Sequence, residues 1–344
     1  MRKITFLSFV LLLGLLSCTK ENEGVPDGYS YAAHVLPEGE YVPDNSFKIV
    51  AYYSEARVPD SIELVKFKMI THLHYAFAYP NTDGTLKAIA QPARFETMIQ
   101  RAKENGVKTA ISLSGGEAVY SALAADPLLR TKLIKNIKDF VLKYQLDGVD
   151  IDWEYPRLNK ANDITYEAFV VELSDTLHRW HKYLSAAVTP ALYQGSVKEG
   201  ITPAAVAAMD FVNIMAYDGI GWDNQNPNHH STYRMAETAL NVWLTEKGLP
   251  KEKAVLGFPA YGKTTANVAL AYRDLLFQGK ANPLENSVTI QNATYYYNSL
   301  DVVKQKAVLA KQNANGLMVW EFYQDANGPQ SMIKAANDAI GRTY

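Results

Sequence analysis

The chain has 344 residues, enough for two average domains or one large α/β barrel of about 250 residues. Hydrophobic content of 48% with 20% charged residues is ordinary for a globular fold, and a formal net charge of -2 leaves no basic footprint for nucleic acid or an anionic surface. A single cysteine removes disulfides and cysteine-rich metal sites.

At the N-terminus, Met1-Arg2-Lys3 is a short positive stretch, and Ile4 to Leu16 is an apolar run too short to cross a bilayer as a stable helix. The run ends in Leu15-Leu16-Ser17-Cys18. Small residues directly before a cysteine resemble the lipobox of bacterial lipoproteins, in which that cysteine is lipidated and becomes the mature N-terminus. The resemblance makes residues 1–18 a lipoprotein signal peptide and Cys18 the lipidation site. It also places the protein in the bacterial cell envelope, in contact with the membrane only through that lipid anchor. The other reading is an uncleaved apolar tail with a chance cysteine. Residues 19–45 are polar and carry Pro26, Pro37, Pro43, Gly24, Gly28 and Gly39, which predicts a flexible tether. The folded unit is expected over 46–344.

From Phe47 onward, short β-branched or aromatic runs alternate with longer amphipathic stretches. Strands are predicted over Lys48–Tyr53, Ile70–Tyr79, Lys108–Ser114, Gly148–Glu154, Leu184–Pro190, Phe211–Tyr217, Ala254–Tyr261 and Gly316–Phe322. Pro127–Tyr144, Tyr166–Tyr183 and Ser299–Asn313 read as helices. Strand–helix alternation implies right-handed βαβ units and a parallel sheet, and eight such units fit a (β/α)8 TIM barrel. A doubly wound open sheet is the alternative, but the first strand runs into Ala51-Tyr52-Tyr53-Ser54-Glu55 with no glycine-rich nucleotide turn.

The segment Leu146-Asp147-Gly148-Val149-Asp150-Ile151-Asp152-Trp153-Glu154-Tyr155-Pro156 is the most informative. Asp150, Asp152 and Glu154 stand at period two, so in a strand they share one face, while Val149, Ile151 and Trp153 point to the helices. Carboxylates on the inner face of a buried strand are costly unless protonated, hydrogen-bonded or paired, and nothing basic in the segment offsets them. Neighbouring acids cannot all ionise easily, so at least one proton stays near neutral pH, which is what a general acid requires. The last member falls at the strand's C-terminal end, where barrel active sites lie. An exposed edge strand and a Ca²⁺ or Mg²⁺ site are the competing readings.

Asp147 to Glu154 resembles the D-x-x-D-x-D-x-E signature of glycoside hydrolase family 18, the chitinase-like family. Other landmarks follow in order. Ser112-Leu113-Ser114-Gly115-Gly116 is similar to the family's S-x-G-G, Met215-Ala216-Tyr217-Asp218 to its M-x-Y-D, Gly257 to Gly262 to its seventh strand, and Gly316 to Trp320 to its eighth. The resemblance covers about Phe47 to Tyr323. It implies that Glu154 is the general acid and that the substrate's own 2-acetamido oxygen, not an enzyme carboxylate, attacks the anomeric carbon. It further implies that Asp152 orients the acetamido N–H, Tyr217 contacts the acetamido carbonyl, Asp218 helps distort the ring and Trp320 stacks beneath it. Asp150 is then the inner partner of Asp152, supported by Ser112 and Tyr52. Met215 joins the sugar-binding residues. The implied substrates are chitin or chitooligosaccharides, or the di-N-acetylchitobiose core of N-glycans, with no cofactor, no metal, and a monomeric enzyme. A lectin that has lost catalysis is a third reading, against which Glu154, Asp152 and Tyr217 are all retained.

Other signals are weaker. Trp222 and Tyr261 follow strands at the active end and are candidates for further subsites. Trp153 and Tyr155 belong by strand parity to the packing face. His178 and His181 read as surface or packing residues, with a metal pair as the competing reading, and His229-His230 as a solvated loop, with cleft lining as the alternative. Between the seventh and eighth strands, Lys263 to Tyr297 is short for the full insertion domain of many family members, which predicts a single catalytic domain with a shallower groove.

Overall fold

The computed structural model describes residues 35–344, so Cys18 and the expected leader lie outside the described residues. Eight parallel strands close a barrel: β1 (Lys48–Ser54), β2 (His72–Ala78), β3 (Lys108–Ser114), β4 (Gly148–Asp152), β5 (Tyr183–Val188), β6 (Phe211–Ile214), β7 (Ala254–Pro259) and, last in the chain, β12 (Gly316–Trp320). Each pairs with its sequence neighbours, and β12 returns to β1 with Lys48 opposite Gly316. The helices between them include α1 (Val65–Lys68), α2 (Pro92–Glu104), α3 (Glu117–Ala125), α4 (Pro127–Lys143), α5 (Asn162–His178), α6 (Pro203–Ala208) and α7 (Tyr233–Asn241).

Local chemistry accounts for the elements. In α4 Pro127 occupies the first turn, and the Asp126 carboxylate accepts from the backbone N–H groups of Leu128 and Leu129, satisfying donors that a helix start leaves free. Its buried face, Leu133, Ile134, Ile137, Val141 and Leu142, recurs at three- and four-residue steps against the barrel. The predicted helix over Tyr166–Tyr183 runs instead from Asn162 to His178; Tyr183 opens β5. Trp180 and Tyr183 extend the apolar pattern beyond a helix that ends at His178, and the chain turns between them at His181, φ 52°.

Two apolar layers result. Val149, Ile151 and their counterparts face the helices in one large core. Inside the barrel, Val50, Tyr52, Ala76, Ala110, Tyr183, Ala187, Phe211, Met215, Val255 and Met318 form a second cluster. Gly148 is required there, because a Cβ would meet the Tyr183 ring at 2.5 Å.

At the N-terminal side of the barrel the packing extends past the expected boundary. The packed chain begins before Ser46: Tyr41 donates its hydroxyl to Asp210 (2.9 Å), Lys108 pairs with Asp44 (2.7 Å), and the buried Lys48 ammonium donates to the Asp44 carbonyl (2.7 Å). These contacts close the barrel's N-terminal end. Between β7 and α9 (Leu300–Asn313), the short insertion folds as β8 (Tyr261–Lys263), β9 (Ala269–Ala271), α8 (Tyr272–Gln278), β10 (Ser287–Ile290) and β11 (Ala293–Tyr296). Its strands make one small antiparallel sheet in the order β10-β11-β8-β9. A last helix, α10 (Met332–Ala339), packs on α9.

Candidate active site

Most predicted strands overshoot the observed ones at their C-terminal ends. β4 stops at Asp152 and β6 at Ile214, so Glu154, Tyr217 and Asp218 lie on turns above the barrel mouth. There a pocket of about 400 Å³ is lined by Tyr52, Phe77, Ser114, Asp152, Glu154, Ala187, Met215, Tyr217, Asp218, Tyr261 and Trp320. β4 is hydrogen-bonded to β3 and β5 on its two sides, which removes the edge-strand reading.

The row of acids resolves into three environments. Asp150 is fully buried, and its oxygens accept from Tyr52 (2.7 Å), Ser112 (2.7 Å), Ser185 (2.6 Å) and Asn213 (3.2 Å), with His74 Nδ1 at 3.5 Å. Burial alone would push its carboxyl up, but His74 and the hydroxyl donors hold it below the ordinary value. With its oxygens turned to donors, Asp150 presents no open face to a hard cation. Asp152, also buried, is pushed well above the ordinary value by burial, then by the charges of Glu154 and Asp150 and a hydrogen bond with Glu154. Its Oδ1 has no hydrogen-bond partner among the described residues. Glu154 is exposed to the pocket. The proton retained by this cluster therefore resides with the Asp152–Glu154 pair, one step above the ionised Asp150.

Around this pair the walls are aromatic. The Tyr217 hydroxyl is raised well above 10 by burial and by Asp152, Asp218 and Glu154, so it remains a donor. Its ring meets Tyr261 edge-on at 6.3 Å, and Tyr261 donates to Asp218 (2.7 Å). Lys263 of β8 (2.9 Å) and His230 (3.3 Å) also face that carboxylate. Although burial opposes ionisation, these three partners hold Asp218 down at about 2. Trp320 forms the floor, tilted on Tyr52 at 5.5 Å and stacked on Phe77 at 5.6 Å.

Several expected residues sit elsewhere. Ser112 is fully buried beneath the pocket and touches Asp150, not the lining; Ser114, two residues on, lines it opposite Asp152. Trp222 does not line the pocket and lies with its ring 5.7 Å from the Arg234 guanidinium. Tyr155 is not on the packing face. The strand has ended, so period two no longer governs it, and it packs against the barrel-interior cluster and hydrogen-bonds Glu154. His229 and His230 are buried, not solvated: His229 bonds the Tyr297 carbonyl (2.9 Å), and His230 lies 5.0 Å from the Tyr261 ring. The loop is held because the insertion packs over it, a contact between distant segments. His178 is a packing residue, stacked under Tyr41 and bonded to Asp210 (3.0 Å). The sequence reading missed Phe77, Ala187 and His74. Period two along β2 and β5 would have aimed all but Phe77 inward, but nothing local marks them as functional.

A closed (β/α)8 barrel with a carboxylate row at its C-terminal mouth is the architecture of a glycosidase. The family model for glycosyl hydrolases family 18 matches residues 48–325, and the chain belongs to that family. It is 29% identical over 259 residues to probable chitinase 2 of Drosophila melanogaster, and 33% identical over 223 residues to a chitinase-like effector of Moniliophthora roreri. These matches cover 67% and 58% of this chain but only 52% and 54% of the relatives, so the chain spans about half their length. Among solved structures it is similar to a family 18 chitinase from the chitin utilization locus of Flavobacterium johnsoniae. The TM-score is 0.73 with 29% identity, covering 86% of this chain and 94% of that one.

Proposed function

We propose that the chain is a retaining glycoside hydrolase that cleaves β-1,4-linked N-acetylglucosamine by substrate-assisted catalysis. The observation that carries this is the buried, unpartnered Oδ1 of Asp152 beside Glu154. A buried acceptor left without a donor is costly, and a substrate acetamido N–H satisfies it. Most glycosidases pair an acid with a carboxylate nucleophile or base; family 18 is one of the exceptions. Here the second carboxylate fits that exception, since Asp152 is buried and raised by burial and by Glu154 and Asp150, sharing a proton with Glu154 and not standing as a free nucleophile.

In this reading Glu154 gives its proton to the glycosidic oxygen as the bond to the anomeric carbon breaks. The acetamido oxygen forms the new bond to that carbon, giving an oxazolinium ion. Asp152 accepts from the acetamido N–H and stabilises its growing charge, while the Tyr217 hydroxyl donates to the acetamido oxygen. Trp320 carries the apolar face of the ring and Asp218 meets its hydroxyls. Water then attacks the anomeric carbon from the face the leaving group left, the bond to the acetamido oxygen breaks to restore the acetamide, and the water's proton passes to Glu154, regenerating the acid and retaining the configuration.

Incubation with chitotetraose to chitohexaose, and separately with a high-mannose N-glycoprotein, tests the reading by mass spectrometry. We expect oligosaccharide cleavage that falls about 10²- to 10⁴-fold in Glu154→Gln, with binding retained. Release of N-glycans alone would move the substrate to the chitobiose core; binding without cleavage of either would leave a lectin. Export and lipid attachment at Cys18 belong to the same proposal, supported by the Leu15–Cys18 sequence. Fatty-acid labelling that persists in Cys18→Ser would overturn that part.

A further inference from the structure

Of the groups around Asp150, four are neutral donors: Tyr52, Ser112, Ser185 and Asn213. The fifth, His74, is the one base among its described contacts. The imidazole is fully buried on β2, with Nδ1 3.5 Å from Asp150 Oδ1 and Nε2 3.2 Å from the Tyr183 hydroxyl. Among the described residues Nδ1 makes no hydrogen bond, and the Asp150 carboxylate, 3.5 Å away, is the acceptor it faces. The Tyr183 hydroxyl is raised well above 10 by burial and stays protonated, able to donate to Nε2 and leave the ring proton on Nδ1. Rings fix the imidazole on three sides: Tyr52 edge-on at 5.0 Å, and Tyr183 and Phe211 stacked near 6.1 and 6.0 Å. Gly148 leaves the space in which Tyr183 lies.

We propose that His74 is a positioning residue for the carboxylate row. Its Nδ1 holds Asp150 ionised beneath the pocket, and that fixed negative charge keeps the shared proton with the Asp152–Glu154 pair. The proposal rests on the hydrolytic reading above. The charged and titratable groups facing His74 are Asp150 from β4, Tyr52 from β1, Tyr183 from β5 and His72 on its own strand. Lys48 and Lys108 lie beyond His72. Of these, only Asp150 is an acid of the catalytic row.

If Asp150 must be ionised for turnover, activity is lost as pH falls through its titration. Taking away His74 removes the first of the groups that oppose burial, so Asp150 takes up a proton at higher pH and the acid limb moves up. His74→Phe keeps the stacked ring and removes both nitrogens; His74→Asn keeps a neutral donor near Nδ1. We expect the acid limb of kcat/KM to move up by about 1–3 units in His74→Phe and by less in His74→Asn. Oligosaccharide affinity, measured with Glu154→Gln added, stays unchanged. If the Phe variant does not fold, the displaced limb of the Asn variant carries the test. A merely structural histidine would lower the rate in both variants and leave the limb where the wild type has it; that result overturns the proposal. Infrared spectroscopy at mildly acidic pH separates this from the hydrolytic reading. A further protonated-carboxyl band, beyond the one the Asp152–Glu154 pair gives in the wild type, should appear in His74→Phe and vanish when Asp150→Asn is added. Its absence overturns the pairing even in a protein with no hydrolytic activity. Its presence in a protein that cleaves no oligosaccharide sinks the hydrolytic reading alone.

Discussion

Asp150 and Asp152 stand two residues apart on one face of one strand, and their carboxyl groups are driven in opposite directions. Both are buried, so desolvation pushes each up. Asp150 then meets an imidazole and hydroxyl donors, which reverse the push, whereas Asp152 meets two further carboxylates, which add to it. For an acid whose folded value is raised, the native state binds more protons than the unfolded one at pH between the two values. Stability therefore falls as pH rises above about 4, the ordinary carboxylate value. Asp152→Asn removes that loss. The variant should melt at or above the wild-type temperature near neutral pH and show a flatter pH dependence, while its turnover drops and its pH–rate profile narrows. Thermal scans and kinetics across pH 4 to 8 check both. A melting temperature that falls at every pH would show that Asp152 is structural and not a strained functional acid.

The elements divide this work by where each strand ends. β4 delivers Asp150 and Asp152 in register with Ser112 and Ser114 of β3, and Asp150 opposite Ser185 of β5. The turn after β6 delivers Tyr217 and Asp218, the latter with φ 63°, a left-handed conformation that asparagine and aspartate tolerate best among residues with a Cβ. The insertion contributes Tyr261 and Lys263 of β8, both of which reach Asp218, the lysine as its ion-pair partner. Asp218 is partly open to solvent, so this ion pair adds little stability, about 0–1 kcal/mol. Lys263→Met should accordingly leave the melting temperature within a few degrees of the wild type. It should lower kcat/KM about tenfold, since Asp218 loses one of the partners that hold it ionised and oriented. A large loss of stability with full activity would make the pair a clamp for the insertion and not part of the site.

At the scale of the whole molecule, the catalytic mouth and the N-terminal segment occupy opposite ends of the barrel. Tyr41, Asp44 and the backbone of Ser46 close the N-terminal end over Lys48, Lys108 and Asp210. A chain starting at Ser46 loses the Tyr41–Asp210 bond, the Asp44–Lys108 pair and one of the two carbonyl acceptors of the buried Lys48 ammonium. At about 0.5–1.5 kcal/mol for each hydrogen bond, the loss is about 2–4 kcal/mol, or several degrees in Tm. Turnover at room temperature should stay unchanged, because no residue of the pocket is touched. Equal melting temperatures for chains starting at Leu36 and at Ser46 would show that the segment only rests on the barrel.

Alternation of short apolar runs with amphipathic helices was enough to predict the (β/α)8 barrel, since period two and period 3.6 are local properties of the chain. Period two also put Asp150 and Asp152 on one face, and the landmarks around Ser112, Met215 and Trp320 placed their neighbours. Tertiary structure decided what no local pattern contains. Strand ends are set by where a neighbouring strand stops offering partners, and this turned Tyr155 into the site. His229 and His230 are buried because the insertion packs over them, His229 bonding the carbonyl of Tyr297, 68 residues further on, and His230 lying against Tyr261. Asp150 is held below the ordinary carboxylate value by His74, Ser185 and Tyr52, which come from three other strands. Sequence determines which groups can carry charge; only the fold determines which of them are desolvated together, and the energy of a buried charge depends on that.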